Sequence, residues 1–137
     1  MLRATLRALA AYKVRLALSA LSIILGVAFV AGTFTPGERD AAASRASGDP
    51  ARHLAVRFAA KEAFLKALSG PRFGAPPRQR RLDLREIEVI SDAWGRPALR
   101  LHGAARALLD EGGAWQAHVS LSHDGPFAVA CVVLEAA

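Results

Sequence analysis

Glu62 and Lys66 stand four residues apart in Arg57-Phe58-Ala59-Ala60-Lys61-Glu62-Ala63-Phe64-Leu65-Lys66-Ala67-Leu68. That spacing puts a carboxylate and an ammonium on one face of a helix. Leu54, Phe58, Leu65 and Leu68 mark an apolar stripe at spacings of four, seven and three. Glu62 is therefore expected on or beside the face turned to the core. A lone carboxylate there is costly unless it is paired or holds a metal. Two readings fit these residues. One is an ordinary Glu-to-Lys helix pair, worth about 0.2–0.5 kcal/mol. The other is a carboxylate and an ammonium set for metal or proton chemistry.

The elements that must carry this face are legible. Pro50 or Ala51 to Leu68 reads as a long helix closed by Ser69-Gly70-Pro71. Upstream, Thr35-Pro36-Gly37-Glu38-Arg39 is a turn and helix start, with Pro early and an acid in the first turn. Ser44 to Pro50 is a small, polar loop. Downstream, Pro71 to Arg81 holds Pro71, Pro76, Pro77, Arg72, Arg78, Arg80 and Arg81 and reads as an exposed basic loop. Ile87 to Ser91 and Ala98 to His102 are strands around the turn Asp92 to Pro97. Ala104 to Asp110 is a short helix ended by Gly112-Gly113. Trp115 to Ser122 alternates, with Ala117, Val119 and Leu121 on one face and His118, Ser120 and Ser122 on the other. A turn at Asp124-Gly125-Pro126 joins it to the apolar run Phe127 to Leu134. Helix, hairpin, helix, hairpin predicts an α+β domain.

The N-terminus has different physics. The 19 residues from Leu16 to Phe34 carry no charge, close to the ~20 that cross a bilayer as a helix. Arg3, Arg7, Lys13 and Arg15 precede them, the pattern of a transmembrane helix or signal anchor with its N-terminus in the cytoplasm. A cleavable signal peptide fits less well, because the run is long for an h-region, although Val30 and Gly32 offer a small-residue cleavage site. A buried helix of a soluble domain is the other reading. Two parts are expected: a hydrophobic, transmembrane-like helix over 1–33 and a globular domain over 34–137.

Charge and cysteine narrow the classes. Residues 1–32 hold four of the 18 basic residues and no acid, so the rest carries only +2 of the net +6. A nearly balanced body argues against nucleic acid as partner. Cys131 is the one cysteine, which excludes an internal disulfide and a thiolate metal cluster.

Phe58-Ala59-Ala60-Lys61-Glu62-Ala63 with Lys66-Ala67 resembles the signature of the phosphopantetheinyl transferase superfamily. Four further blocks resemble its short, acyl-carrier-protein synthase branch: Phe34-Thr35-Pro36-Gly37-Glu38, Ile87-Glu88-Val89, Trp94-Gly95-Arg96-Pro97 and His118-Val119-Ser120-Leu121-Ser122-His123. They occur in family order. The resemblance implies transfer of the 4′-phosphopantetheine arm of coenzyme A to a serine of apo-acyl carrier protein, with Mg²⁺ bridging pyrophosphate and carboxylates. It implies Glu62 as metal ligand and Lys66 as a phosphate contact or aid to proton transfer. Arg57 and Lys61 become phosphate-side contacts, and Ser122 and His123 lie near the nucleotide. It implies a homotrimer and cytoplasmic work; the basic loop near Arg78 to Arg85 reads equally as a solvated loop or as a dock for an acidic carrier.

The family opens on a strand, roughly Gly-Ile-Asp-Ile/Leu-Val, whose Asp is a second metal carboxylate. Met1 to Thr33 contains neither that strand nor any acid, so a transferase domain lacking its first strand is expected. Glu38 or Asp40 could replace the Asp only in a rearranged fold. Instead, Met1-Leu2-Arg3-Ala4-Thr5-Leu6-Arg7 and Leu25-Gly26-Val27-Ala28-Phe29-Val30-Ala31-Gly32 resemble the first membrane helix of macrolide-exporter-type ABC permeases. Membrane contact through 16–34 follows. The alternatives to an impaired enzyme are an inactive, membrane-anchored chimeric remnant or a permease fragment.

Overall fold

The computed structural model describes residues 2–44, 49–76, 81–111 and 115–136. The chain divides into two compact units, Met1–Gly32 and Thr33–Ala137. The first is one helix, α1 (Leu2–Gly32). Its stretch Tyr12–Gly32, 21 residues of mean hydropathy 2.2, is long and apolar enough to cross a membrane. Among the described residues no strand precedes residue 87.

The second unit runs α2 (Pro36–Ala43), α3 (Pro50–Ser69), β1 (Ile87–Ser91), β2 (Pro97–Leu101), α4 (Gly103–Asp110), β3 (Trp115–Asp124) and β4 (Phe127–Ala136). It is the α+β arrangement that the order of elements predicts. Thr35 caps α2 through a capping box: its hydroxyl accepts from Glu38 N–H while the Glu38 carboxylate accepts from Thr35 N–H. Asp49 caps α3, accepting from Ala51 N–H at 2.9 Å ahead of Pro50 in the first turn. The predicted loop residues 45–48, the stretch 77–80 with Arg78 and Arg80, and Gly112-Gly113 lie outside the described residues.

β1 and β2 pair antiparallel from Ile87↔Leu101 to Ser91↔Pro97. Asp92 organises their turn by accepting from Trp94 and Arg96 N–H, with Gly95 at φ +83°. β3 and β4 form the second hairpin, from Trp115↔Ala136 to Asp124↔Phe127. Each hairpin is its own two-stranded sheet, and α3 packs across both. Phe64, Ile87, Ala105 and Leu109 form the core, flanked by Leu65, Leu68, Leu99, Leu101, Val132 and Leu134. The second hairpin alternates as its sequence predicts: Ala117, Val119 and Leu121 are half-buried, His118, Ser120 and Ser122 exposed.

α3 is turned differently from its apolar pattern. The buried face is His53, Val56, Arg57, Ala60, Lys61 and Phe64, about one residue round from Leu54, Phe58, Leu65 and Leu68, which are half-buried. Two long cationic side chains are inside because their stems pack against apolar neighbours and their heads find acceptors.

Candidate active site

Lys61 is the first consequence of that rotation. It is fully buried, and its ammonium donates to Glu38 Oε2 at 2.8 Å and to the Leu84 carbonyl at 2.9 Å. The Phe34 ring lies 5.5 Å away, within cation–π range. Glu38 is equally buried; its carboxylate also accepts from Thr35 N–H at 2.9 Å and Val89 N–H at 3.0 Å. Burial pulls the Lys61 ammonium below the ordinary lysine range, opposed by its hydrogen bond and attraction to Glu38. The result is a clasp joining α2, α3 and β1. Lys61, expected from the resemblance as a phosphate-side contact, is turned into the core here, with Glu38 and the Leu84 carbonyl as its acceptors. Glu38, with its oxygens committed to the clasp, is equally removed from service as a metal carboxylate.

Arg57 is also buried, and its Nη1 donates to the His53 carbonyl at 2.9 Å. It lines a cavity of about 160 Å³ together with His53, Val56, Ser91, Gly95, Pro97, Leu121 and His123. His123 follows Leu121 on the inner face of β3. Its ring meets the His53 ring edge to face, centroids 5.5 Å apart and planes at 84°. The lining offers a guanidinium, two imidazoles and a hydroxyl, and among the described residues no carboxylate. Such a lining suits an anionic group.

The structure thus brings Arg57 and His123 together. Ser122, one residue before His123, faces the other side of the hairpin, where it pairs with Val129. Glu62 is half-buried on the flank of α3, and Lys66 is exposed in its last turn; neither lines the cavity. Among the described residues no three His, Cys, Asp or Glu side chains gather as a ready-made metal site.

Two residues matter here that the sequence reading passed over. His53 stands four before Arg57, and this spacing alone placed it on the same face. Glu88 sits at the centre of a small polar cluster, with Thr35 Oγ1 donating to it at 3.1 Å and His102 Nε2 at 3.0 Å. Burial pushes its carboxyl up, but the His102 and Thr35 hydrogen bonds and the Arg100 charge bring it below the ordinary range.

A long helix laid across two hairpins, with a polar cavity where helix, turn and second hairpin meet, defines an α+β domain. Comparison with known proteins gives the family. The model of the 4′-phosphopantetheinyl transferase superfamily matches residues 19–132. Holo-[acyl-carrier-protein] synthase of Mycobacterium tuberculosis is 50% identical over 106 residues, 77% of this chain and 78% of that one. The solved acyl carrier protein synthase of the same organism has a TM-score of 0.64 at 49% identity, covering 80% of this chain and 87% of its own. That of Chronobacterium ammoniagenes, in complex with coenzyme A, has a TM-score of 0.70 at 43% identity, covering 77% and 80%. The chain belongs to the 4′-phosphopantetheinyl transferase superfamily and is an enzyme of that class.

Proposed function

We propose that residues 34–137 transfer 4′-phosphopantetheine from coenzyme A to a serine of apo-acyl carrier protein, in the cytoplasm where both substrates are found. The observation that carries this reading is the Arg57–His53–His123 cavity, set on the helix that bears the transferase signature. At about 160 Å³ it is smaller than the ~300–1,000 Å³ of a site enclosing a whole drug-sized ligand. It suits one phosphorylated end of coenzyme A, with Arg57 and His123 as its polar contacts.

The carrier serine Oγ forms a bond to the phosphorus that carries the pantetheine arm. The bond from that phosphorus to the bridging pyrophosphate oxygen breaks, and adenosine 3′,5′-bisphosphate leaves with the electron pair. Lys66 contacts phosphate or assists as the serine proton departs. Glu62 is the residue that would hold Mg²⁺. One carboxylate is enough when substrate phosphates complete the coordination, since Mg²⁺ is commonly bound through one or two carboxylates plus phosphate oxygens. When bound, the ion offsets charge on the transferring phosphoryl group. With a single assigned carboxylate, the chain's demand for Mg²⁺ is raised and its turnover reduced.

The exposed face of the β3–β4 hairpin supports a homotrimer with sites shared between subunits. Phe127, Val129 and Val133 are 73%, 62% and 53% exposed there, an apolar strip of the kind that marks an interface. Ser122 belongs to this face, so it reaches a nucleotide only in a site completed by a neighbouring subunit.

The test is incubation of the full chain with apo-acyl carrier protein, coenzyme A and Mg²⁺. The carrier should gain one phosphopantetheine by mass spectrometry, and chelation should stop it. An unmodified carrier after prolonged incubation sinks the proposal. One observation favours a second reading, an inactive membrane-anchored remnant with 1–33 as its anchor: the length and hydropathy of Tyr12–Gly32. Positive-inside insertion of that helix would carry the transferase domain out of the cytoplasm. Recovery only in the membrane pellet, without labelling, would establish that reading.

A further inference from the structure

His53 takes no part in the chemistry above, yet it touches both Arg57 and His123 of the cavity. Its carbonyl accepts from Arg57 Nη1 at 2.9 Å, and its ring packs edge to face on His123. The two contacts come from different parts of the residue. Any side-chain substitution leaves the carbonyl in place, so the ring's contribution can be isolated.

His123 needs such a contact. It lies one residue from the end of β3, against the turn at Gly125, and its side chain is exposed. The torsion that sets an imidazole plane is broad and roughly two-fold. An exposed ring at a hairpin end therefore samples several orientations unless a neighbour selects one. His53 is suited to select it: it is buried, and it sits on the 20-residue α3. Edge-to-face packing favours one interplanar angle over the others. Leu121 lines the same cavity and limits movement along the strand.

We infer that His53 is a positioning residue whose ring fixes the His123 imidazole toward the cavity and so raises affinity for the phosphorylated nucleotide of coenzyme A. The inference rests on the nucleotide reading of that cavity. Its reach is binding, not the chemical step, because neither Glu62 nor Lys66 lines the cavity.

The experiment uses the full chain with ¹³C-labelled histidine and follows the His123 ring signal as coenzyme A is added. Steady-state labelling of the carrier is measured alongside. In His53→Ala the His123 signal should move toward that of a free imidazole. The Kd and KM for coenzyme A should rise about three- to tenfold, while kcat changes less. His53→Phe keeps a ring in place and should restore both constants to within about twofold of the parent. If alanine destabilises the domain, His53→Leu fills the space without a ring and must weaken coenzyme A in its stead. Equal affinity in the parent and in the ringless variant overturns the inference, as does a phenylalanine variant as weak as alanine. A parent whose His123 signal ignores coenzyme A overturns the nucleotide reading of the cavity, and the inference with it.

Discussion

Removing the Lys61 ammonium should destabilise the domain rather than weaken coenzyme A binding. Lys61→Met keeps most of the stem volume and deletes the charge. Glu38 would then keep only the Thr35 and Val89 N–H groups, in a site 1% exposed to solvent. Breaking a buried pair from one side costs about 3–5 kcal/mol, a large share of the ~5–15 kcal/mol that holds a domain together. For a domain of this size each kcal/mol lowers Tm by about 4–8 °C, so a fall of at least about 12 °C is expected. Glu38→Gln should show a loss of the same order. The double variant should lose less than the sum of the two, because no unpaired charge remains. Urea and thermal melts read this, with the KM for coenzyme A measured where each variant is folded. A Lys61→Met protein with an unchanged midpoint and a raised KM would refute the clasp and put the ammonium on a phosphate, as the signature implies.

Four further outcomes are expected. Glu62→Ala should abolish carrier labelling, or reduce it by at least about a hundredfold, with little change in melting; undiminished labelling would remove it from the site. Glu88 should contribute stability above the ordinary 4.5 of a glutamate that is lost as pH falls below it, because its folded-state carboxyl is lowered. Glu88→Gln should flatten that acid limb of a stability–pH curve, and an identical limb would count against the His102 and Thr35 contacts. Gly103→Ala should destabilise by about 1–2 kcal/mol in urea melts, since Gly103 has φ +48° and a Cβ would lie 2.5 Å from Glu86 Oε1. Val129→Asp, on the exposed hairpin face, should turn a trimer into monomers by sedimentation, and an unaltered assembly would place the interface elsewhere.

Local sequence signals mark the elements well. Thr35-Pro36-Gly37-Glu38 announces the start of α2, Ser69-Gly70-Pro71 ends α3, and the alternation in Trp115–Ser122 separates the faces of β3. The phase of α3 was not legible. Apolar periodicity picks Leu54, Phe58, Leu65 and Leu68, but the buried face includes Arg57 and Lys61. Whether such a residue can be buried depends on its acceptors. For Lys61 these are Glu38 and Leu84, each 23 residues away, and no local window contains them. The same distance hid the cavity: His53 and His123 are 70 positions apart in the sequence and meet only when β3 is laid on α3. Family resemblance supplied Arg57 and His123 for it but not His53.

The Glu38 clasp also bears on what a change in the N-terminal segment would do. Its carboxylate is held by Thr35, Lys61 and Val89, all of them downstream of residue 33. The part of the α2 anchorage that Glu38 makes therefore lies wholly within the second unit. Exchange of the segment before residue 33 would leave the partners of this tether in the chain.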